Sequence, residues 1–254
     1  MPALEGDILV GNMILRGLVV GVLAGILAFV FATFFGEPSL DAAIAFEDRL
    51  AAASGVAAEP EIVSRAMQRG LGLLTGVVVL GAGLGGLFGV AFAFANGRMG
   101  RLGPQQTAAV LALMAFVGLY FLPFLKYPGN PPAANDPDTI QYRTALYFLM
   151  MALSLASIVG AWMLRQRLVP RYGNWNGSLI ALCAFVLVGA IASMVMPAVS
   201  ETPADFPAAV RWEFRLASIG VQALIWATIG LGFGALMGRD LAGGTSSREA
   251  MPAR

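Results

Sequence analysis

The 254-residue sequence contains no histidine, a single cysteine and a single lysine, Lys126. Without imidazole there can be no histidine-based catalytic triad, no His-ligated zinc and no histidine pH switch. One cysteine cannot close a disulfide within the chain. Charge is scarce too: only 12% of residues are Asp, Glu, Lys or Arg, about half the share that a soluble domain carries. That deficit excludes a soluble enzyme, because the polar residues are too few to coat a globule. The 16 basic and 15 acidic residues leave a net charge of +1, so there is no broad field to attract nucleic acid. A phosphate-cradling loop is also missing. Such a loop ends in Gly-Lys-Ser or Gly-Lys-Thr, whereas Lys126 is followed by Tyr127. Gly81-x-Gly83-x-x-Gly86 spells a dinucleotide fingerprint, but it lies inside an apolar run with no strand before it.

Apolar sequence is abundant, with hydrophobic residues making up 58% of the chain. Six stretches, 17–35, 71–95, 107–125, 144–164, 178–196 and 216–237, carry no charge and reach the roughly 17–25 residues that a membrane-spanning helix needs. They are continuous, not alternating, which excludes a β-barrel. The leader before the first run is acidic (Glu5, Asp7) and the run is long, so it reads as a retained helix and not as a signal peptide. The expected fold is therefore all-α: a polytopic bundle of six transmembrane helices forming one integral-membrane domain over residues 1–254.

Basic residues in short loops set orientation. The turns 96–106 and 165–177 hold five arginines and no acid, and with the tails that side carries nine basic residues against four acidic. The loops 36–70, 126–143 and 197–215 carry seven basic and eleven acidic residues. Both termini are expected in the cytoplasm, with the acidic loops outside. Each outer loop opens with proline near an acid: Gly36-Glu37-Pro38, then Pro128 to Asp138, then Met196-Pro197 with Glu201-Thr202-Pro203. Each closes on arginine before an apolar run, at Arg65, Arg143 and Arg215. The pattern suggests a threefold repeat of helical hairpins.

Small residues at every fourth position mark packing faces: Gly17, Gly21 and Gly25; Gly72 and Gly76, then Gly81, Gly85 and Gly89; Ala152, Ala156 and Gly160; Gly230, Gly234 and Gly238. Within the first outer loop, Ile44, Phe46 and Leu50 fall near helical spacing, as in a helix lying on the membrane surface. Cys183 reads as packing. Met150, Met151, Met194 and Met196 form no regular thioether ladder.

With nitrogen ligands absent, a metal site must use oxygen. Glu37, Asp136, Asp138 and Glu201 are the candidate ligands, since proline holds each at a helix end. Taken singly, each also reads as a solvated acid paired with a nearby arginine. Arg65, Arg143 and Arg215 begin helices at the outer boundary, where arginine ordinarily snorkels to headgroups; they could also orient the acids. Asn130 lies in the second outer loop, and Gln222 lies two turns after Arg215, where an amide should face the bundle interior. Tyr120, Tyr127, Tyr147, Trp162, Trp175 and Trp212 read as an interfacial aromatic belt.

The run from Pro123 through Lys126-Tyr127-Pro128-Gly129-Asn130-Pro131-Pro132 to Asn135-Asp136-Pro137-Asp138-Thr139-Ile140, followed by Arg143-Thr144 and Tyr147, resembles the signature of the CbtA family of cobalt transporter subunits. Gly36-Glu37-Pro38, Ala43-Ile44, Phe46-Glu47, Phe206-Pro207, Phe214-Arg215, Gln222 and Trp226 extend the likeness over nearly the whole chain. The resemblance implies cobalt uptake across the bacterial inner membrane in support of cobalamin synthesis. It further implies a small single-span, histidine-bearing partner subunit (CbtB-like) and no resident cofactor, Co²⁺ being the cargo. The leading expectation is thus a divalent-cation permease subunit. The alternative is a non-transporting membrane scaffold that docks a partner through its outer loops, and it draws on the lack of charge within the six apolar stretches. A carrier for an organic solute also stays open.

Overall fold

A computed structural model describes residues 2–55, 62–199 and 201–249, with side chains placed for 10–55, 62–199 and 201–238. Residues 56–61 of the first long loop, Ser200 in the third and the last five residues, including Arg254, lie outside the described set. So do the side chains of Glu5, Asp7, Arg239, Asp240, Arg248 and Glu249. Every regular element among the described residues is helical. Six helices follow one another: α1 (Pro2–Phe35), α2 (Glu37–Ala53), α3 (Arg65–Ala95), α4 (Pro104–Lys126), α5 (Ile140–Val195) and α6 (Ala208–Glu249). All but α2 are long and apolar enough to cross a membrane.

The helices run further than the apolar stretches do. Gly36 alone separates α1 from α2 in the chain, and its N–H donates to the Ala32 carbonyl at 2.8 Å. Most of the expected loop 36–70 is therefore helix, and Glu37 opens α2 where a carboxylate complements the helix dipole. The apolar face expected on α2 is used in part. Ala43 is buried beside Ala134 and Phe206, and Phe46 packs edge-on to Phe206 at 5.1 Å, while Leu50 is exposed. In α4 the turn Phe116–Phe121 is widened just before Pro123. Proline supplies no N–H and crowds the preceding carbonyl, so the ladder opens there.

The expected loop 165–177 contracts to one residue. α5 is helical throughout except at Gly173 (φ 77°, ψ 168°), a left-handed conformation that a side chain would strain. Beyond Gly173 the chain doubles back: Arg165 Nε donates to Ser178 Oγ at 2.8 Å, and Leu146 and Met150 pack beside Ala192 and Met196. The apolar stretches 144–164 and 178–196 thus lie in separate legs of one broken helix.

Two compact units share the chain. The first takes Met1–Glu37, Glu59–Leu113 and Gly220–Arg254. Here α1 and α3 run antiparallel in backbone contact. A Cβ on Gly17 or Gly85 would collide with the other's carbonyl oxygen, as would one on Gly21 or Gly81. The start of α4 faces the end of α6 in the same way: Ala112 meets Gly230, Ala108 meets Gly234 and Gln105 meets Gly238. Phe88 and Phe92 close on Phe233, with centroids 5.3 and 4.9 Å away. The glycine stripes are used only in part, since Gly76 has no neighbour within contact distance.

The second unit takes Pro38–Ala58 and Met114–Ile219. Gly118 of α4 sits against Ile158, and Gly189 sits against Leu122. Gly160, whose small-residue stripe was expected to pack, meets nothing. Among the described residues the buried set is rich in alanine and glycine, while Val19, Leu87, Phe94, Leu187 and Leu231 are exposed. Lipid removes the hydrophobic penalty for large side chains outside and rewards close backbone packing inside.

Candidate functional site

The residues with polar chemistry gather where helices meet the long loops. In the first unit, Arg65 forms an ion pair with Glu37. Ser64 caps α3, its hydroxyl accepting from the Met67 N–H at 3.4 Å, and so sets the first turn on which Arg65 stands. Glu37 is buried, and Arg65 meets its charge from the far end of the same loop.

In the second unit, loops 126–143 and 197–215 enclose a cavity of about 570 Å³, within the usual ~300–1,000 Å³ of small-molecule sites. The end of α4 contributes Lys126 and Tyr127, the start of α5 contributes Ile140, Arg143, Thr144 and Tyr147, and the start of α6 contributes Arg211 and Arg215. Asn130, Asn135, Glu201 and Thr202 complete its polar lining. Four basic side chains therefore face one carboxylate, and that carboxylate is already engaged. Glu201 Oε2 lies 3.2 Å from Arg143 Nε and accepts from Thr139 Oγ1 at 2.6 Å. The Asp136 N–H also donates to it at 3.4 Å.

Asp136 faces the backbone. Its Oδ1 accepts from the Asp138 N–H at 3.0 Å and caps the short turn Pro137–Thr139 that leads into α5. Asp138 is exposed. Arg215 donates from both Nε (3.1 Å) and Nη2 (2.5 Å) to Asn130 Oδ1, and Asn130 Nδ2 donates to Asn135 Oδ1 at 2.8 Å. Tyr127 bridges the two loops, its hydroxyl donating to the Pro197 carbonyl at 2.7 Å. Burial, helped by Tyr142, pushes the Tyr127 phenol above its ordinary value.

The four candidate carboxylates are thus distributed over both units, with Asp136, Asp138 and Glu201 together in the second and Glu37 in the first. Among the described residues no group of three or more His, Cys, Asp or Glu side chains is arranged to hold a metal ion. The three arginines share one feature: each guanidinium is held by a side-chain oxygen from a long loop. Arg65 pairs within its own loop, whereas Arg143 and Arg215 reach across to each other's loops. Gln222 is part-buried in α6 and belongs to the first unit. Three residues that carry the cavity were missed by sequence reasoning: Lys126, Arg211 and Asn135. The spacing of Arg211 and Arg215, one helical turn apart on a shared face, was the available signal.

These helices define a multi-pass membrane protein of the transporter type. The chain belongs to the CbtA family, described as a probable cobalt transporter subunit, whose sequence model matches residues 10–238. Nothing among curated proteins or solved structures matches it.

Proposed function

We propose that the chain is the membrane-embedded permease subunit of a cobalt uptake system in a bacterial inner membrane, working with no enzymatic step and no resident cofactor. Family membership over residues 10–238 carries this reading. The five apolar helices support it, and the reversal at Gly173 is compatible with α5 crossing twice. Six crossings put both termini on the side of the acid-free, arginine-rich turns, which the positive-inside rule assigns to the cytoplasm. The three long loops then face outward as corresponding parts of a threefold repeat of hairpins.

Divalent cobalt accepts carboxylate oxygen, and Glu37, Asp136, Asp138 and Glu201 are the oxygens it would meet first. Glu37 and Glu201 are bound to Arg65 and Arg143, so cation capture at either acid exchanges a guanidinium for the metal. A small single-span partner subunit supplies the imidazoles that this chain lacks. The test is reconstitution of the chain, alone and with that partner, in liposomes loaded with a metal-sensitive dye. Co²⁺ influx that falls about tenfold when Glu37, Asp136, Asp138 and Glu201 are all neutralised is expected, the loss of several charged ligands. No influx from either preparation would remove the permease assignment and leave a docking scaffold.

A further inference from the structure

The cavity between loops 126–143 and 197–215 carries more basic than acidic side chains. Among the described residues its only acidic lining group is Glu201, which Arg143 already neutralises. Lys126, Arg211 and Arg215 remain, and no described carboxylate pairs with any of them. Arg215 is fixed, not loose: the relay from Asn135 through Asn130 holds its Nε and Nη2 edge with a neutral amide. That arrangement orients the guanidinium without cancelling its charge. Arg211 stands one turn earlier on α6, so two like charges share a helix face at a spacing that is unfavourable unless an anion lies between them.

We propose that this cavity binds a phosphate-type oxyanion. Three elements supply the cations, the end of α4 and the starts of α5 and α6. Donors that converge from several directions suit a tetrahedral anion, and arginine forks match its oxygens in pairs. Thr144 and Tyr147 add hydroxyl groups to the wall. The same three elements enter apolar stretches within a few residues of the cavity, which puts it at the depth of phospholipid headgroups. Free phosphate and a phosphate esterified in an anionic lipid present the same recognition chemistry. Glu201 belongs to both readings, but oxyanion binding does not require cobalt transport and is tested without metal.

The full-length purified chain is titrated in neutral detergent with two probes, inorganic phosphate and a short-chain phosphatidylglycerol, each at low and at physiological salt. Saturable binding of at least one probe is expected. It should weaken about tenfold or more in the double variant R211Q/R215Q, the loss of two charge-assisted donors, and persist in R171Q, which lies outside the cavity. R215K, which keeps charge but not the fork, should fall between these and guards against a folding defect in the double variant. Binding of the lipid probe alone assigns the site to a headgroup, and binding of inorganic phosphate alone assigns it to a free oxyanion. Failure of both probes with the wild-type chain, or equal binding by wild type and R211Q/R215Q, overturns the proposal.

Discussion

Between α1 and α3 little but backbone meets: Gly17, Gly21, Gly81 and Gly85 let carbonyl oxygens approach where any side chain would collide. In the second unit, loops 126–143 and 197–215 are held by Arg143 on Glu201, Arg215 on Asn130 and Tyr127 on the Pro197 carbonyl. The first region is stabilised by dispersion between close-packed surfaces, which lipid cannot rival because it packs less tightly against a glycine groove. The second is stabilised by directional bonds in a setting wet enough for water to compete. One region should therefore fail abruptly when volume is added, and the other should lose stability in small separate steps.

The largest effect belongs to the glycine interface. Gly21→Leu must push α1 off α3, and overpacking of a tight interface costs about 1–3 kcal/mol or more. Loss of the folded peak in size-exclusion chromatography is expected, while Gly76→Leu, facing open space, should elute as wild type. Equal behaviour of the two variants would break the comparison. Glu37→Gln comes next. It removes the Glu37 charge from the ion pair with Arg65, and thermal unfolding in detergent should report a loss of about 1–2 kcal/mol. Asn130→Ala removes the acceptor of two Arg215 donors and should cost about 1–2 kcal/mol in the same assay. Tyr127→Phe deletes one neutral hydrogen bond between the loops and should cost about 1 kcal/mol. Gly76→Ala should change stability least, shifting the midpoint slightly upward because alanine favours helix.

The two regions also differ in how far they could be read from sequence. The apolar runs and the small-residue spacing of 17, 21, 81 and 85 are local patterns, and the helix pair follows from them. Spacing alone did not say which stripes are used. Gly76 and Gly160 have the right period and no partner, because the partner is chosen by the fold of other segments. Gly173 was legible only as part of a loop, since a single left-handed residue can do the work of a longer turn. The polar cavity was least legible. Its central bond joins Asn130 to Arg215 across 85 residues, and no local period encodes that pairing. Counting charges by loop pointed to acidic outer loops, yet the cavity gathers Lys126, Arg143, Arg211 and Arg215. A loop's net charge is a sum, whereas a cavity's sign depends on which side chains face into it.

Carriage of cobalt across a membrane by this chain, as part of a larger assembly, is the proposed function. The direct measurement is uptake of radiolabelled Co²⁺ by cells lacking their own high-affinity cobalt uptake, with and without this chain alongside its partner subunit. Saturable accumulation that requires the chain and falls on joint neutralisation of Glu37, Asp136, Asp138 and Glu201 is the predicted result. Identical accumulation in cells with and without the chain would contradict the account.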